Sequence, residues 1–281
     1  MKFAIIANET KENATRLTNE TMSWLQARGM EARFLKNDSM IEGNIDSELN
    51  AYLQEVDIII VLGGDGTLLN AGYLFRDYNA PLLGINIGHL GFLTSFEHTN
   101  LHEGLEKIAS GDYLIEERMT IDVFHERKGK TIGAYTAIND AVVSKNSLAR
   151  MFTMEISVND RVIDRYAADG LILSTPTGST AYSLSAGGPI VEPSLKALLL
   201  TPICAHNLYS RPMVVNTEEV ISVRVLQSTS DVTLTIDGQI GVEIHDEDIV
   251  KVAKGKKNVR FARLEQRNFY QILREKFSKG K

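Results

Sequence analysis

The sequence predicts two parts of different class, an α/β domain on a parallel sheet followed by an all-β domain. Two patterns carry that expectation. In the first hundred residues, short apolar runs alternate with stretches at helical spacing. Strands separated by helices imply right-handed crossovers and a parallel sheet covered on both faces. From about Glu117 to Val252 the chain instead gives short alternating strands with turn residues between them.

Taken in order, Phe3 to Ala7 reads as a first strand and is too short for a signal peptide. Asn13 to Arg28 carries Leu17, Met22, Trp24 and Leu25 near helical spacing, and Gly29 stops it. A short strand near Arg33 to Leu35 follows. The run from Val56 to Leu62 is almost continuously apolar and β-branched, so it reads as a strand buried on both faces. A helix from Leu68 to about Arg76, with Thr67 as its cap, a strand from Pro81 to Asn86 and a helix from Leu101 to Ser110 complete the first part. Strands of the second part are expected at Thr120 to Phe124, Thr131 to Ile138, Met154 to Val158, Val162 to Tyr166, Val220 to Leu226 and Val232 to Ile236. Lys128-Gly129-Lys130 and Asn159-Asp160 are hairpin connections. The tail returns to helical spacing, with Phe269, Ile272, Leu273 and Phe277 on one stripe that should pack on the first part.

Composition narrows the function. At 281 residues, with 43% hydrophobic content, the chain can build two real cores. A net charge of −6 gives no basic footprint for nucleic acid, and no apolar run approaches a membrane span. The single cysteine, Cys204, cannot form an internal disulfide, which fits a reducing, cytoplasmic location; it reads as a small core residue.

The chemistry centres on Gly63-Gly64-Asp65-Gly66-Thr67, at the carboxyl end of the predicted central strand. Ligands of parallel α/β sheets bind there. No lysine follows these glycines, which excludes a Walker A loop, and Leu69 stands where a dinucleotide fingerprint needs glycine or alanine. Asp65 alone would repel phosphate. It makes sense if it orients or deprotonates a substrate hydroxyl, or if a divalent cation lies between it and phosphate; otherwise it is a turn residue at a strand–helix junction. His89, without a clustered partner, reads as structural or as a support for groups that touch the ligand.

Three further stretches stand out. Asn139-Asp140 sits among apolar residues and needs partners, such as a base edge and ribose hydroxyls, unless it is an Asx turn. Asp169-Gly170 leads through a short strand into Ser174-Thr175-Pro176-Thr177-Gly178-Ser179-Thr180-Ala181-Tyr182, a loop of small and hydroxylated residues suited to a multi-oxygen ligand. Tyr182 offers a flat ring to a base or nicotinamide. Asp237-Gly238-Gln239 is a hairpin signal first.

In this order and spacing the four stretches resemble the ATP-dependent NAD kinases, and the resemblance covers essentially the whole chain, including Gly88-His89-Leu90-Gly91-Phe92 and the Phe269-Tyr270 tail. It implies a phosphofructokinase-like α/β domain over 1–100, a β-rich NAD-binding domain over 101–254, and a tail, 255–281, that returns to the first. It implies transfer of the ATP γ-phosphoryl to the 2′-hydroxyl of the adenosine ribose of NAD, giving NADP. By the same resemblance Asp65 accepts the hydroxyl proton and Gly66 lies against the nucleotide. Asn139 and Asp140 hold adenosine. Asp169 and Thr180, Ala181, Tyr182, Ser183, Leu184 and Ser185 line the NAD pocket, and Arg150, Ala167 and Gln239 make further contacts. The acid after Asn139 is often Glu in the family, so the shorter Asp140 implies a longer or water-mediated ribose contact. Mg²⁺ is the expected cation, because no lysine stands in the loop, and a homodimer or homotetramer is the expected assembly. A lipid or sugar kinase of the same superfamily would replace the Asp169 and Thr180–Ser185 set with an apolar groove or basic residues. A non-catalytic NADP sensor would have no need of Asp65.

Overall fold

The structure, a computed structural model, describes residues 1–36, 45–88, 91–146, 150–207, 209–227, 231–265 and 269–278. His89 lies outside the described residues. The chain divides into two compact units, Met1–Glu117 with Val259–Lys281, and Arg118–Asn258.

The first unit begins with β1 (Lys2–Ala7), α1 (Ala14–Ala27), β2 (Glu31–Phe34), α2 (Ser47–Gln54), β3 (Ile58–Gly63), α3 (Asp65–Leu74), β4 (Leu82–Asn86), β5 (Phe96–Glu97), α4 (Leu101–Ala109) and β6 (Leu114–Arg118). The second unit follows with β7 (Ile121–Arg127), β8 (Lys130–Ala137), β9 (Asp140–Lys145), β10 (Phe152–Val158), β11 (Arg161–Ala168), β12 (Gly170–Ser174), α5 (Tyr182–Ser185), β13 (Ala197–Ile203), β14 (Met213–Asn216), β15 (Ile221–Gln227), β16 (Val232–Ile236), β17 (Ile240–Ile244) and β18 (Ile249–Lys254). The chain then returns to the first unit with β19 (Val259–Arg263) and α6 (Phe269–Ser278).

The first unit is a sheet in the order β2-β1-β3-β4-β19-β6, with β5 also on β4. β1 pairs in parallel with both β2 and β3, and β3 with β4. Ile58 to Leu62 are each at most 1% exposed. That is why this strand shows no polar alternation: helices cover both faces, and each such side chain contributes about 1.5–3 kcal/mol on burial. Strand order reverses between β1 and β3, so the crevice of the fold opens at their carboxyl ends. Asn8, just after β1, reaches Thr67 there, Nδ2 to Oγ1, at 3.5 Å.

Two details differ from the sequence expectation. Helix α3 starts at Asp65, three residues before Leu68, so Thr67 lies inside the helix and Gly64 is the N-cap without a side-chain bond. Thr67 instead packs against Gly63, where a Cβ would stand 2.5 Å from its Oγ1. The first unit also runs past residue 100 to Glu117. Its core takes in Leu101, Leu105 and Ile108 of α4 beside Phe96, and β6 extends the sheet.

The second unit is two six-stranded sheets, β11-β10-β15-β18-β7-β8 and β14-β13-β12-β9-β16-β17, all of whose recorded pairings are antiparallel. Their inner faces share one core, with Phe152, Met154 and Val223 from one sheet and Val143, Leu171 and Leu234 from the other. Lys128-Gly129, Asn159-Asp160 and Asp237-Gly238 all take positive φ at both positions, the geometry of tight hairpins. Cys204 departs from expectation. It is exposed, with φ 48°, because it lies beyond the end of β13 and outside the core. Helix α6 groups with the first unit, and its apolar stripe is partly covered: Phe269, Ile272 and Leu273 are half-buried, Phe277 is 54% exposed, and Lys276 Nζ lies 5.7 Å from the Phe92 ring centroid. No helix among the described residues is long and apolar enough to cross a membrane.

Candidate active site

In the first unit, β3 delivers Asp65 into the first turn of α3, where a carboxylate complements the helix dipole. The carboxylate does not cap its own helix. It crosses to the 91–94 turn and accepts three backbone N–H groups, Phe92 on Oδ2 at 2.7 Å, and Leu93 and Thr94 on Oδ1 at 3.0 and 3.3 Å. Gly91 makes this approach feasible, because a Cβ there would stand 1.9 Å from Oδ1. The turn is held from its other side as well. Arg263 donates to the Leu93 carbonyl and to Glu116, and the Ser95 hydroxyl donates to the Ala262 carbonyl at 2.6 Å. Gly64 and Gly66 have nothing within 4 Å of where a Cβ would be, so a phosphate could approach their backbone.

In the second unit, sheet register explains which residues meet. β9 lies between β12 and β16, with Asp140 opposite Ser174 and Ala141 opposite Ile236. The start of β9 and the ends of β12 and β16 therefore share one edge. At that edge the Asp237 carboxylate accepts the amides of Ile138, Asn139 and Asp140 at 2.8, 2.8 and 2.9 Å, and its own N–H donates to the Asp140 carbonyl at 2.9 Å. Thr175 donates from N to the Asn139 carbonyl at 2.9 Å and from Oγ1 to the Ile138 carbonyl at 2.6 Å. Gly178 packs so closely that a Cβ would stand 2.2 Å from the Asn139 carbonyl oxygen. Behind the loop, the buried Arg118 donates to Thr177 Oγ1 at 3.2 Å.

The side chains on this frame differ in exposure and in partners. Asp140 is 4% exposed, and its carboxyl receives no hydrogen bond among the described residues. Burial, and then the nearby Asp237 charge, push its pKa up to about 7. Burial also raises Asp237, against which its three amide bonds act. Within the Thr180–Ser185 set the exposures diverge. Tyr182 and Ser185 face outward, and Thr180, Ala181 and Leu184 are half-buried. Ser183 is fully buried and shares a 2.8 Å hydrogen bond with Thr201, so its hydroxyl serves the fold. Gln239 is exposed in the β16–β17 turn beside this edge.

Asp169, Ala167 and Arg150 do not join that cluster within the chain. Asp169 pairs with Lys145 at 3.1 Å, where β9 ends and β12 begins. Ala167 lies opposite Thr153 in the β10–β11 pairing, its carbonyl accepting His206 N–H at 2.8 Å, and exposed Arg150 immediately precedes this pair. The rise along β9 separates Lys145 from Asp140 by about 17 Å. The sequence named both groups and contained no signal that they occupy opposite ends of one sheet. It also gave no hint of Arg118, and showed Asp237 only as a turn residue.

The described residues contain no cluster of three or more acidic, histidine or cysteine side chains that could cage a metal ion. Asp65 already has both oxygens engaged by amides. With the described residues alone, a divalent ion here would be held chiefly by the ligand's phosphates, as Mg²⁺ commonly is in kinases.

Two family models match the chain, each largely within one unit. A family model described as ATP-NAD kinase N-terminal domain matches residues 3–113, and one described as ATP-NAD kinase C-terminal domain matches 138–264. A protein named NAD kinase from Heliobacterium modesticaldum is 43% identical over 278 residues, covering 99% of this chain and 98% of that one. An NAD kinase from Geobacter sulfurreducens is 40% identical over 283 residues, covering 99% of each. Among solved structures, an NAD kinase from Archaeoglobus fulgidus in complex with ATP superposes with a TM-score of 0.76 at 26% identity, covering 98% of both chains. Yeast NADH kinase complexed with NADH shares the fold, with a TM-score of 0.82 at 24% identity over 96% of this chain and 85% of that one. The chain belongs to the NAD kinase family.

Proposed function

We propose that this protein transfers the γ-phosphoryl of ATP to the 2′-hydroxyl of the adenosine ribose of NAD, with Asp65 accepting the hydroxyl proton. The observation that carries the assignment is the edge of the second unit where Asn139 and Asp140 are presented beside the hydroxyl-rich 174–182 loop. The Asn139 amide can both donate to and accept from a base edge, and an ionised Asp140 can accept two ribose hydroxyls. Tyr182, 47% exposed, offers its ring for stacking. Phosphoryl transfer needs positioning and charge neutralisation more than covalent chemistry, so a site made mostly of binding groups suits it. Mg²⁺ bound to ATP would neutralise phosphate charge, and no step on this chain's residues is assigned to it. The same reading takes the protein to be cytoplasmic.

The assembly belongs to this reading. Asp140 and Asp169 are both assigned to the dinucleotide, yet they sit at opposite ends of β9 and β12. One NAD can meet both groups if a second copy of the chain supplies the Asp169 end, which supports a homodimer or homotetramer. Mixing inactive Asp140→Ala and Asp169→Ala chains should then restore part of the activity, because some sites would carry both intact groups. No recovery in mixed oligomers would refute the shared site.

The direct test is NADP formation from NAD, ATP and Mg²⁺, followed with an NADP-specific dehydrogenase. Turnover is expected in the wild type and loss of turnover in Asp65 variants that still bind NAD. Tight NADP binding without turnover would instead indicate a sensor.

A further inference from the structure

We infer that Asp237 is a positioning residue of the acceptor site, its carboxylate setting the backbone of residues 138–140 so that Asn139 and Asp140 present their side chains to the dinucleotide. The inference rests on the assignment of those two residues to NAD. It goes further by giving a task to a residue whose sequence setting shows only a hairpin turn.

Asp237 lies at the first position of the β16–β17 turn with φ 48°, so its backbone is fixed by the hairpin itself. Three consecutive amides, those of Ile138, Asn139 and Asp140, converge on its two oxygens at 2.8–2.9 Å. This is a nest of N–H donors closed around an anion, and the anion is supplied by the protein. Its own N–H returns to the Asp140 carbonyl, so the two segments are tied in both directions. The amides so engaged belong to the two residues whose side chains make no hydrogen bond among the described residues, and to the residue before them. Asp237 thus takes up the backbone polarity of the segment and leaves its side chains for ligand. A hairpin would need no such arrangement, since Asp-Gly turns form without distant amide partners for the carboxylate.

Asparagine at 237 cannot reproduce the nest. Its single carbonyl oxygen can take the place of Oδ1, which receives Asn139 and Asp140, but its NH₂ would then face the Ile138 N–H donor to donor. A second anchor in the same unit provides the comparison. The buried Asp248 carboxylate accepts from His125 Nε2, from Arg127 Nε and Nη2 and from the His245 amide, at 2.8–2.9 Å, and it precedes β18 in the other sheet.

The experiment is steady-state kinetics of the full-length wild type, Asp237→Asn and Asp248→Asn, with amide hydrogen exchange of the wild type with and without NADP. Asp237→Asn should raise KM for NAD by ~tenfold and leave kcat and KM for ATP within about twofold. Asp248→Asn should leave KM for NAD unchanged even where it lowers the melting temperature. In the wild type the amides of 138–140 should exchange slowly before any ligand is added. Rapid exchange of those amides without ligand would overturn the inference, and so would an unchanged KM for NAD in folded Asp237→Asn. A wild type that forms no NADP would overturn the functional assignment as well, so the two failures are distinguishable.

Discussion

Asp65 and Asp237 solve the same local problem in different units, and their contrast separates a reacting carboxylate from an anchoring one. Each accepts three consecutive backbone amides, 92–94 for Asp65 and 138–140 for Asp237. Asp65 stands at a helix start beside two glycines that open onto space. Asp237 stands in a hairpin turn, half-buried like Asp65, and the groups proposed to meet ligand belong to the segment it holds. In the first case the proposed function makes the anchor itself the reacting group. In the second, the same proposal leaves the anchor behind and assigns the contacts to its neighbours. In the proposed reaction Asp65 would serve the 91–94 turn and the substrate hydroxyl together, which makes its substitutions harder to interpret than those of Asp237.

The largest effect is expected at Asp65. Asp65→Asn and Asp65→Ala should lower kcat by roughly 10²- to 10⁴-fold, the range of general-base removal. The amide is not a silent replacement here, because its NH₂ would face an N–H of the 92–94 turn. Faster hydrogen exchange at residues 92–94 should accompany the lost turnover in both variants. Next comes Gly91→Ala. A methyl group 1.9 Å from Oδ1 must displace the carboxylate, so kcat should fall about a hundredfold with Asp65 intact. Normal turnover would mean that the position of Asp65 matters little.

A smaller, pH-dependent effect is expected on the other side of the comparison. Asp140 titrates at about 7, so it is mostly neutral below that pH and mostly charged above it. If it accepts ribose hydroxyls as an anion, KM for NAD should fall as pH rises through 7, and Asp140→Asn should abolish that slope. Stability should move oppositely. The folded chain holds this proton more tightly than the unfolded chain, so stability is full below the unfolded pKa near 4 and declines as pH rises toward 7. Asp140→Asn should therefore melt higher than the wild type at pH 8 while binding NAD more weakly. A lower melting temperature at that pH would show that the buried carboxylate is compensated after all.

The smallest effect on activity is expected at Asp248. Burial would raise its pKa, but Arg127, the His245 amide and His125 together hold the carboxylate below the usual range. Its stabilising contribution is thus present above an unfolded pKa near 4 and lost as pH falls through the lower folded value. Asp248→Asn should be less stable at neutral pH with turnover intact, which thermal melts beside the coupled assay would show.

Much of this was legible in the sequence, for identifiable reasons. The unbroken Ile58–Leu62 run declares a strand buried on both faces, and Asn159-Asp160 and Asp237-Gly238 declare hairpins, because local backbone chemistry decides both. The start of α3 was misplaced because its N-cap is Gly64, which carries no side-chain signal, while Thr67 looks like a cap and serves as a packing residue. Cys204 looked like a core residue in an apolar setting; its exposure depends on where β13 ends. The candidate site residues are legible in the sequence by type and position. What spacing could not supply was their partnership: Asp65 with amides 27 to 29 positions away, Asp237 with amides 97 to 99 positions away, and Asp169 at the far end of the sheet from Asp140.

The measurement that bears most directly on the account is a side-by-side comparison of Asp65→Asn and Asp237→Asn in NADP formation, each with NAD and ATP varied. The account predicts a collapse of kcat in the first with NAD still bound, and a raised KM for NAD in the second with kcat preserved. The same parameter changing in both would contradict the distinction between the reacting and the anchoring carboxylate.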